Sequence, residues 1–518
     1  MEFVSDPSIK DKIQKMKQRV RWQESPLQKR NIDQTQLVLA DEISDQEEFS
    51  FLVIGDTGFG DRRGHNPQRK LAEMMLDHGE NCRFLIHTGD IVYQVGSSEY
   101  YLKNFIKPYR ELIVGGDNPG HITYDQMVFK LPFLAVPGNH DYYDLPFVFG
   151  LLAQVSWPVR HLLKSKLDLN VGWHGSGKGK AYAKAFLDYL ARFKLPGELE
   201  SHLNQHYTAQ TDTGRCLYYQ PGHFTRLPNR YYSFRSGGID FFALDSNTFN
   251  SPSPIPATPE GKAFRHLLEK RRQELEQQKE QIMETSAQLN PDNPEDAEQL
   301  DDLDAKMEQI EEIILDIDKQ LQCDEETIID FEQLDWLRQR LIKSWQTEEV
   351  RGRVIYLHHP PYVTEATKWS QSQTLAVRRR LRQVLDAVSE AIGSARQELP
   401  IVDLVLSGHA HCLEYLHTVD TGYADSNLNW IVCGGSGHSL RRQRKEGAEI
   451  TEGERSQLVA KSQFFAGRHG HGSKKRRLYS FLRIDVLAGK PPKFRVQPYI
   501  AQRAQRSWNE EEMKAFVI

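Results

Sequence analysis

The chain has 518 residues, 39% hydrophobic and 26% charged, which exceeds one ordinary domain and is ample for a buried core. Its formal net charge of −5 is too small for this length to point to nucleic acid or to a membrane surface. Five widely spaced cysteines without a Cys-x-x-Cys pair exclude a disulfide framework and fit a reducing compartment.

Residues 1–47 read as a polar lead-in with a short helix over Ile9–Val20. Met1–Arg30 is rich in Lys, Arg and Gln and has no apolar h-region, so it is not a signal peptide. The longest apolar stretch, Leu145–Trp157, is interrupted by Pro146, Gly150 and Gln154 and is too short to span a bilayer. The expectation is a soluble, cytoplasmic protein with no membrane partner.

The first core strand, Phe51–Ile54, runs into Gly55-Asp56-Thr57-Gly58, and a helix over Pro67–Asp77 follows, closed by Gly79. Phe84–Ile86 gives a second strand ending in Gly89-Asp90, with Tyr93 three residues on. A helical segment around Glu99–Leu112 precedes a third strand, Phe133–Val136, which ends in Pro137-Gly138-Asn139-His140-Asp141. Strands alternating with helical crossovers predict a parallel α/β sheet with ligands at the carboxyl ends of its strands.

Residues 146–228 break that rhythm. Gly172, four residues, then Gly177-Lys178 nearly spell a phosphate-cradling loop, but Gly179 stands where a Ser or Thr is required and no strand precedes it. It reads instead as a flexible basic loop beside an anionic site, followed by an amphipathic helix over Ala181–Phe193.

Core pattern returns in Tyr231–Phe234 and Ile239–Asp245, a hairpin turning at Gly237-Gly238. A proline-rich link leads to Thr258-Pro259, a strong helix start. Leu268, Leu275, Ile282 and Leu289, then Leu300, Leu303, Met307, Ile310, Ile314, Ile317 and Leu321, form two heptad seams broken at Asn290–Pro294. They predict an antiparallel coiled-coil hairpin. Its second arm carries 16 acids against two lysines between Asp292 and Asp330. That face reads as solvated, with docking of a protein partner as the functional alternative.

A helix over Phe331–Lys343 leads into Val354–Leu357, which ends in His358-His359-Pro360-Pro361-Tyr362. A basic helix around Leu375–Ala391 precedes the strand Ile401–Ser407, which ends in Gly408-His409-Ala410-His411. Trp430–Cys433 runs into Gly434-Gly435, and Leu478–Val486 opens a terminal strand pair. Basic clusters flank them at Arg441–Lys445 and Lys474–Arg477.

Asp56, Asp90, Asn139, His358 and the pair His409/His411 thus all stand at strand ends. Oxygen and imidazole donors without thiolates suit Fe, Mn or Zn. With Tyr93 they make seven candidate ligands, too many for one tetrahedral ion, and two ions sharing a carboxylate account for them. Taken singly, each has a plainer reading as a turn, a cap or a rigid strand exit, and Tyr93 as a core tyrosine below the site.

The order Asp56-x-Gly58, Gly89-Asp90-x-x-Tyr93, Gly138-Asn139-His140-Asp141, His358 and Gly408-His409-x-His411 resembles the calcineurin-like metallophosphoesterases, and most of all their purple acid phosphatase branch. Most of that superfamily has Asp-x-His in the first motif, whereas Gly58 stands here and Tyr93 compensates. The resemblance covers 48–145, 229–257 and 331–500. It implies a four-layer α/β/β/α sandwich with two metal ions, Fe with Fe, Mn or Zn. Asp56, Tyr93 and His411 would hold the first ion, Asn139, His358 and His409 the second, and Asp90 would bridge them. A metal-bound hydroxide would attack a phosphate ester, with His140 contacting phosphate or leaving group and Asp141 orienting it. The branch shows Val-x-x-His before the fourth ligand where Ile355 stands here, so His359 is an alternative to His358.

The expected organisation is the lead-in 1–47, core parts 48–145, 229–257 and 331–500, an insertion 146–228 as candidate lid, the acidic hairpin 258–330 and a tail 501–518. The competing reading is a scaffold that kept the fold and binds a protein through the hairpin.

Overall fold

Strands buried on both faces read as near-continuous apolar runs, and such runs form the centres of two sheets. The computed structural model describes residues 4–40, 46–60, 65–145, 175–290, 293–396, 399–453, 455–470, 474–504 and 507–518. Numbered in chain order, one sheet contains β2 (Phe49–Ile54), β3 (Cys82–His87), β4 (Phe133–Ala135), β15 (Arg468–His469), β16 (Arg476–Leu487), β17 (Lys493–Ala504), β18 (Ser507–Glu512) and β19 (Phe516–Val517). The other contains β1 (Ile32–Leu39), β5 (Ala209–Thr211), β6 (Gly214–Tyr219), β7 (Tyr232–Ser236), β8 (Ile239–Ala243) and β9 (Gly352–Tyr356). It continues through β10 (Leu404–Ser407), β11 (Leu413–Thr418), β12 (Asn429–Cys433), β13 (Glu449–Glu452) and β14 (Gln457–Ala466).

β2, β3 and β4 run parallel, with Val53 opposite Ile86 and Ile86 opposite Leu134. In the other sheet β8, β9, β10 and β12 do the same, with Phe242 opposite Ile355, Ile355 opposite Val405 and Val405 opposite Trp430. The carboxyl ends of each set are therefore level, and the loops leaving them share one edge. The sheets meet through Phe51, Phe84, Phe234 and Phe241, whose rings lie 4.7–5.6 Å apart in an aromatic box. Such pairs add to the burial of their area, about 0.5–1.5 kcal/mol each. Leu71, Met74 and Met75 of the helix Pro67–His78 belong to this same core, on the β16–β17 side. Beyond the second sheet, Leu337 and Leu341 of Phe331–Gln346 and Leu381 and Leu385 of Ser372–Ile392 pack with Ile355, Val405 and Val432. The result is the α/β/β/α sandwich.

Three local departures from the sequence reading have physical causes. The lead-in contributes more than its helix (Ile9–Arg19), because β1 inserts between β6 and β7, parallel to both. Its first half, Asp33-Gln34-Thr35-Gln36, is polar, which leaves too short an apolar run to see. The segment around Glu99–Leu112 is a series of short 3-10 and π turns rather than one helix; Pro108 lacks an N–H for the ladder. The stretch Ala181–Phe193 is a helix only over Lys180–Phe186, with a 3-10 turn at Leu190–Arg192. The front of the glycine-lysine loop, 172–174, lies outside the described residues. Its rear is a structural turn, with the Gly177 and Lys178 carbonyls accepting from Arg19 and the Lys178 N–H donating to Asp144.

The helices Pro259–Ala287 and Pro294–Gln322 form an antiparallel hairpin, paired by Arg272 with Asp318 and Lys279 with Glu311. Leu275, Ile282, Ile310, Ile314 and Ile317 make a small core of their own between them. The acidic face of the second arm is not left to water as the composition suggests. It lies against the basic clusters of the sandwich, because opposite charge on the same chain was available to pair with it. Among the described residues no helix is long and apolar enough to cross a membrane, and the five cysteines are buried and free of disulfides.

Candidate metal centre

Four of the motifs turn sharply at a strand end through a glycine (Gly55, Gly89, Gly138 and Gly408), while His358 leaves β9 ahead of Pro360-Pro361. Asp56, Asp90 and His409 themselves adopt left-handed backbone, with φ of 56°, 56° and 65°. Non-glycine residues held there are costly, and such strain collects at functional sites. A Cβ on Gly138 would stand 2.1 Å from the Asp90 carboxylate, and one on Gly408 2.6 Å from that of Asp56. The glycines are what allow the carboxylates in.

Asp90 occupies the middle. Its Oδ1 accepts the His140 N–H (2.9 Å), while Oδ2 lies 2.9 Å from the Tyr93 hydroxyl and 3.3 Å from His358 Nε2. On one side the Tyr93 hydroxyl also reaches Asp56 Oδ1 (2.9 Å) and His411 Nε2 (3.3 Å). On the other, His358 Nε2 is 2.9 Å from Asn139 Oδ1, and the ligand atoms of Asp90, His358 and His409 lie within 4.8 Å of one another. The outer nitrogens are spoken for: Nδ1 of His358 pairs with the Thr88 carbonyl and that of His411 with the Ser439 carbonyl, both at 2.9 Å. Backbone acceptors of this kind fix the tautomer that turns Nε2 inward. All seven candidate ligands meet here.

The electrostatics are those of a cation site. Burial, with Asp90 adding to it, pushes Asp56 up to about 8. Burial drives His411 down to about 3 and His409 well below the usual imidazole range. His358 resists burial and sits near 9 because Asp90 is beside it. His409 Nε2 is buried with no hydrogen-bond partner among the described residues. An orphaned imidazole nitrogen among crowded carboxylates, with no thiolate near, fits Fe, Mn or Zn.

Residues 49–242 match the family model described as calcineurin-like phosphoesterase. Over this part of its length the chain is similar to the calcineurin-like phosphoesterases. No curated protein matches its sequence. In structure it is similar to the purple acid phosphatase PPD1 from yellow lupin (Lupinus luteus) seeds, at 11% identity and a TM-score of 0.41, over 92% of this chain and 54% of that one. The chain thus spans about half the length of the lupin protein. It is also similar to Plasmodium GAP50, described as the anchor in the inner membrane complex (11% identity, TM-score 0.36, 90% and 89% covered). A third similar structure is PhoD (11%, 0.38, 91% and 69%).

Within this phosphoesterase fold His359 faces away from the cluster, since its ring nitrogens pair with Ser246 Oγ (2.8 Å) and Asn250 Nδ2 (3.0 Å). Asp141 needs a correction. It does not orient His140, whose Nδ1 lies 2.6 Å from the Gln94 carbonyl. The Asp141 carboxylate instead accepts from the N–H groups of Gly138, Asp90 and Ile91, at 2.8, 3.1 and 3.2 Å. Sequence order hid this, because adjacent residues on a turn point apart while the loop after β3 folds back beneath them.

One residue was missed. His438 is buried, and its ring lies 3.8 Å from that of Tyr93 and 4.6 Å from that of His411. The signal was present: β12 runs into Gly434-Gly435-Ser436-Gly437-His438, the same strand–glycine–histidine order as the other motifs.

Proposed function

We propose that this chain is a dinuclear metal-dependent phosphoesterase of the purple acid phosphatase type, hydrolysing phosphate esters. Asp56, Tyr93 and His411 would hold one ion and Asn139, His358 and His409 the other, with Asp90 available to both. The observation that carries the proposal is the position of Asp90 Oδ2 between the Tyr93 hydroxyl and His358 Nε2. When bound, iron paired with iron, manganese or zinc supplies Lewis acidity for attack of water on phosphorus and neutralises the phosphoryl oxygens.

The chain's own part is positioning and proton transfer. With Nδ1–H donated to the Gln94 carbonyl, His140 presents Nε2 to the centre, 4.0 Å from Asp90 Oδ2. Its side chain is 13% exposed while those of Asp90 and His358 are at 1% or less, so it stands on the substrate's side. Protonated, it donates to the leaving oxygen. Asp141 acts on the backbone, clamping the turns that carry Asp90 and Asn139.

The deciding experiment is metal analysis of the purified protein with a panel of phosphomonoesters and phosphodiesters. Two ions per chain and turnover on either class support the proposal; full ligation with no turnover on both would favour the scaffold reading. His140→Ala is expected to keep both ions and lose about 10²-fold in kcat, less on an ester with a very good leaving group. Equal losses on good and poor leaving groups would make it a positioning residue. Tyr93→Phe removes the phenolate, a hard anionic donor. The oxidised, iron-loaded protein is expected to be coloured and this variant to lose the visible band; an unchanged spectrum would return Tyr93 to the core.

A further inference from the structure

The acidic arm Pro294–Gln322 does more than cover its partner helix. Its apolar seam is spent on the first arm, in a core separate from those of the sandwich. What it turns to the sandwich is a row of carboxylates at Glu298, Asp301, Asp302, Glu308 and Glu312. At 1.5 Å per residue this row extends about 21 Å. Each finds cations below it. Glu298 meets Arg477 at 3.2 Å, Arg503 at 3.3 Å and Lys475 at 3.4 Å. Asp301 lies 3.6 Å from Arg503. Asp302 meets Lys475 at 2.7 Å and Arg468 at 2.8 Å. Nearest the metal centre, Glu312 meets Lys368 at 2.8 Å and Arg441 at 3.7 Å, and Glu308 lies 3.8 Å from Arg441 and from His438.

Three features make this a groove with its own chemistry. Among the described residues, every ion pair of Lys368, Arg441, Arg468, Lys475 and Arg477 is with the arm. Lys368, Arg441 and Arg477 are 1%, 5% and 7% exposed; outside the arm the buried carboxylate of Glu365 acts on Lys368 and Arg441, so without the arm the row would hold an excess of buried positive charge, an expensive arrangement. The inner end lies beside the metal centre: Glu308 is 3.8 Å from His438, whose ring is 3.8 Å from that of Tyr93. Finally, a cavity of about 370 Å³ remains under the arm, lined in part by Asp302, Ala305, Glu365, Arg441 and Arg468. Docking by charge pairs rather than apolar packing is weakened by salt and by competing anions.

We propose that the arm is a tethered anion mimic, and that the groove from Arg477 and Arg468 to Lys368 and Arg441 takes an oligophosphate chain whose end reaches the metal centre. Arg forks and Lys ammonium groups are the side chains that recognise phosphate. A row about 20 Å long suits several phosphates in line rather than one. Phe59 and Tyr479, which line a pocket with Arg468 and Arg477, pack with His438 and Trp508, whereas stacking of nucleic-acid bases calls for free aromatic faces along the groove. The proposal deepens the phosphoesterase reading by naming a substrate class, but the groove's binding of phosphate does not depend on turnover.

The test uses the full metal-loaded chain and calorimetry with inorganic tripolyphosphate, monophosphate and a single-stranded oligonucleotide. In the triple variant Glu298→Gln, Asp301→Asn, Asp302→Asn, tripolyphosphate is expected to bind at least about tenfold tighter than to wild type, monophosphate unchanged. Adding Arg468→Gln and Arg477→Gln should remove the gain. A second measurement needs no variant: zero-length carbodiimide coupling of Lys475 to Asp302 in wild type should block tripolyphosphate binding, and prior tripolyphosphate should suppress the coupling. Equal affinity in wild type and triple variant, a gain that survives loss of the arginines, undiminished binding by the coupled protein, or a larger gain for the oligonucleotide would overturn the proposal. If the groove behaves as stated but no ester is turned over, the phosphoesterase reading fails alone; turnover of simple esters with no gain sinks only the groove.

Discussion

Asp90→Asn is expected to abolish phosphoester turnover, with a fall in kcat beyond about 10⁴-fold, which is more than about 5 kcal/mol of transition-state stabilisation. Asp90 is the residue both halves of the site share: it lies 2.9 Å from Tyr93 and 3.3 Å from His358, and its other oxygen takes the His140 N–H. An amide keeps the shape and loses the charge, so one end would present N–H groups to cations. Metal content should fall from two ions towards one or none. The fold should survive, because the Asp90 N–H bond to Asp141 is a backbone contact. Metal analysis, a thermal melt and initial rates suffice; a variant with full metal and near-normal kcat would remove the dinuclear proposal.

Gly58→Ala is expected to disturb the site from outside it. Where related motifs place a histidine two residues after the first aspartate, this chain has a glycine against which the loop after β3 packs. A Cβ at position 58 would stand 1.9 Å from the Ile91 carbonyl oxygen and 2.3 Å from the Val92 Cα, and the Gly58 carbonyl accepts the Tyr93 N–H at 2.9 Å. Both obstacles are backbone, so the loop itself must shift, at about 3 kcal/mol or more for so close an overlap. The shift carries the Tyr93 hydroxyl away from Asp56 and Asp90. The measurable result is a lower melting temperature together with loss of the tyrosine-dependent visible band. Gly120→Ala, where nothing lies within 4 Å, is the control. A Gly58→Ala protein as stable and as coloured as wild type would mean that the loop is free to move.

The glycine and the tyrosine are thus two ends of one solution. The sequence shows both, but only packing explains why they go together. The same holds for the rest of the site. Asp56, Asp90, Asn139, His358, His409 and His411 were legible because each follows an apolar run at a period a strand requires. His438 follows the same rule but at the end of a longer turn. The choice between His358 and His359 lay beyond sequence, since it depends on Ser246 and Asn250, in the segment after β8, pairing with the His359 ring. The role of Asp141 depended likewise on a loop 50 residues away in the chain. Both basic clusters and the acidic arm were visible as charge runs, yet which charges would face each other is a question of hairpin direction that composition does not answer.

The sheet that begins the site joins strands from both ends of this sequence. β2, which carries Asp56, pairs on one side with β3 and on the other with β16, Val53 standing opposite Leu482. A chain emerging in order therefore makes Asp56 and Asp90 early and must wait for β16, far along the sequence, before the strand that carries Asp56 gains its second neighbour. Long-range pairings of this kind form late and leave strand edges exposed meanwhile. His409 and His411 arrive almost as late. Capture of metal should therefore wait until β16 has been made, and truncation after β14 should leave an aggregation-prone chain rather than a weaker enzyme.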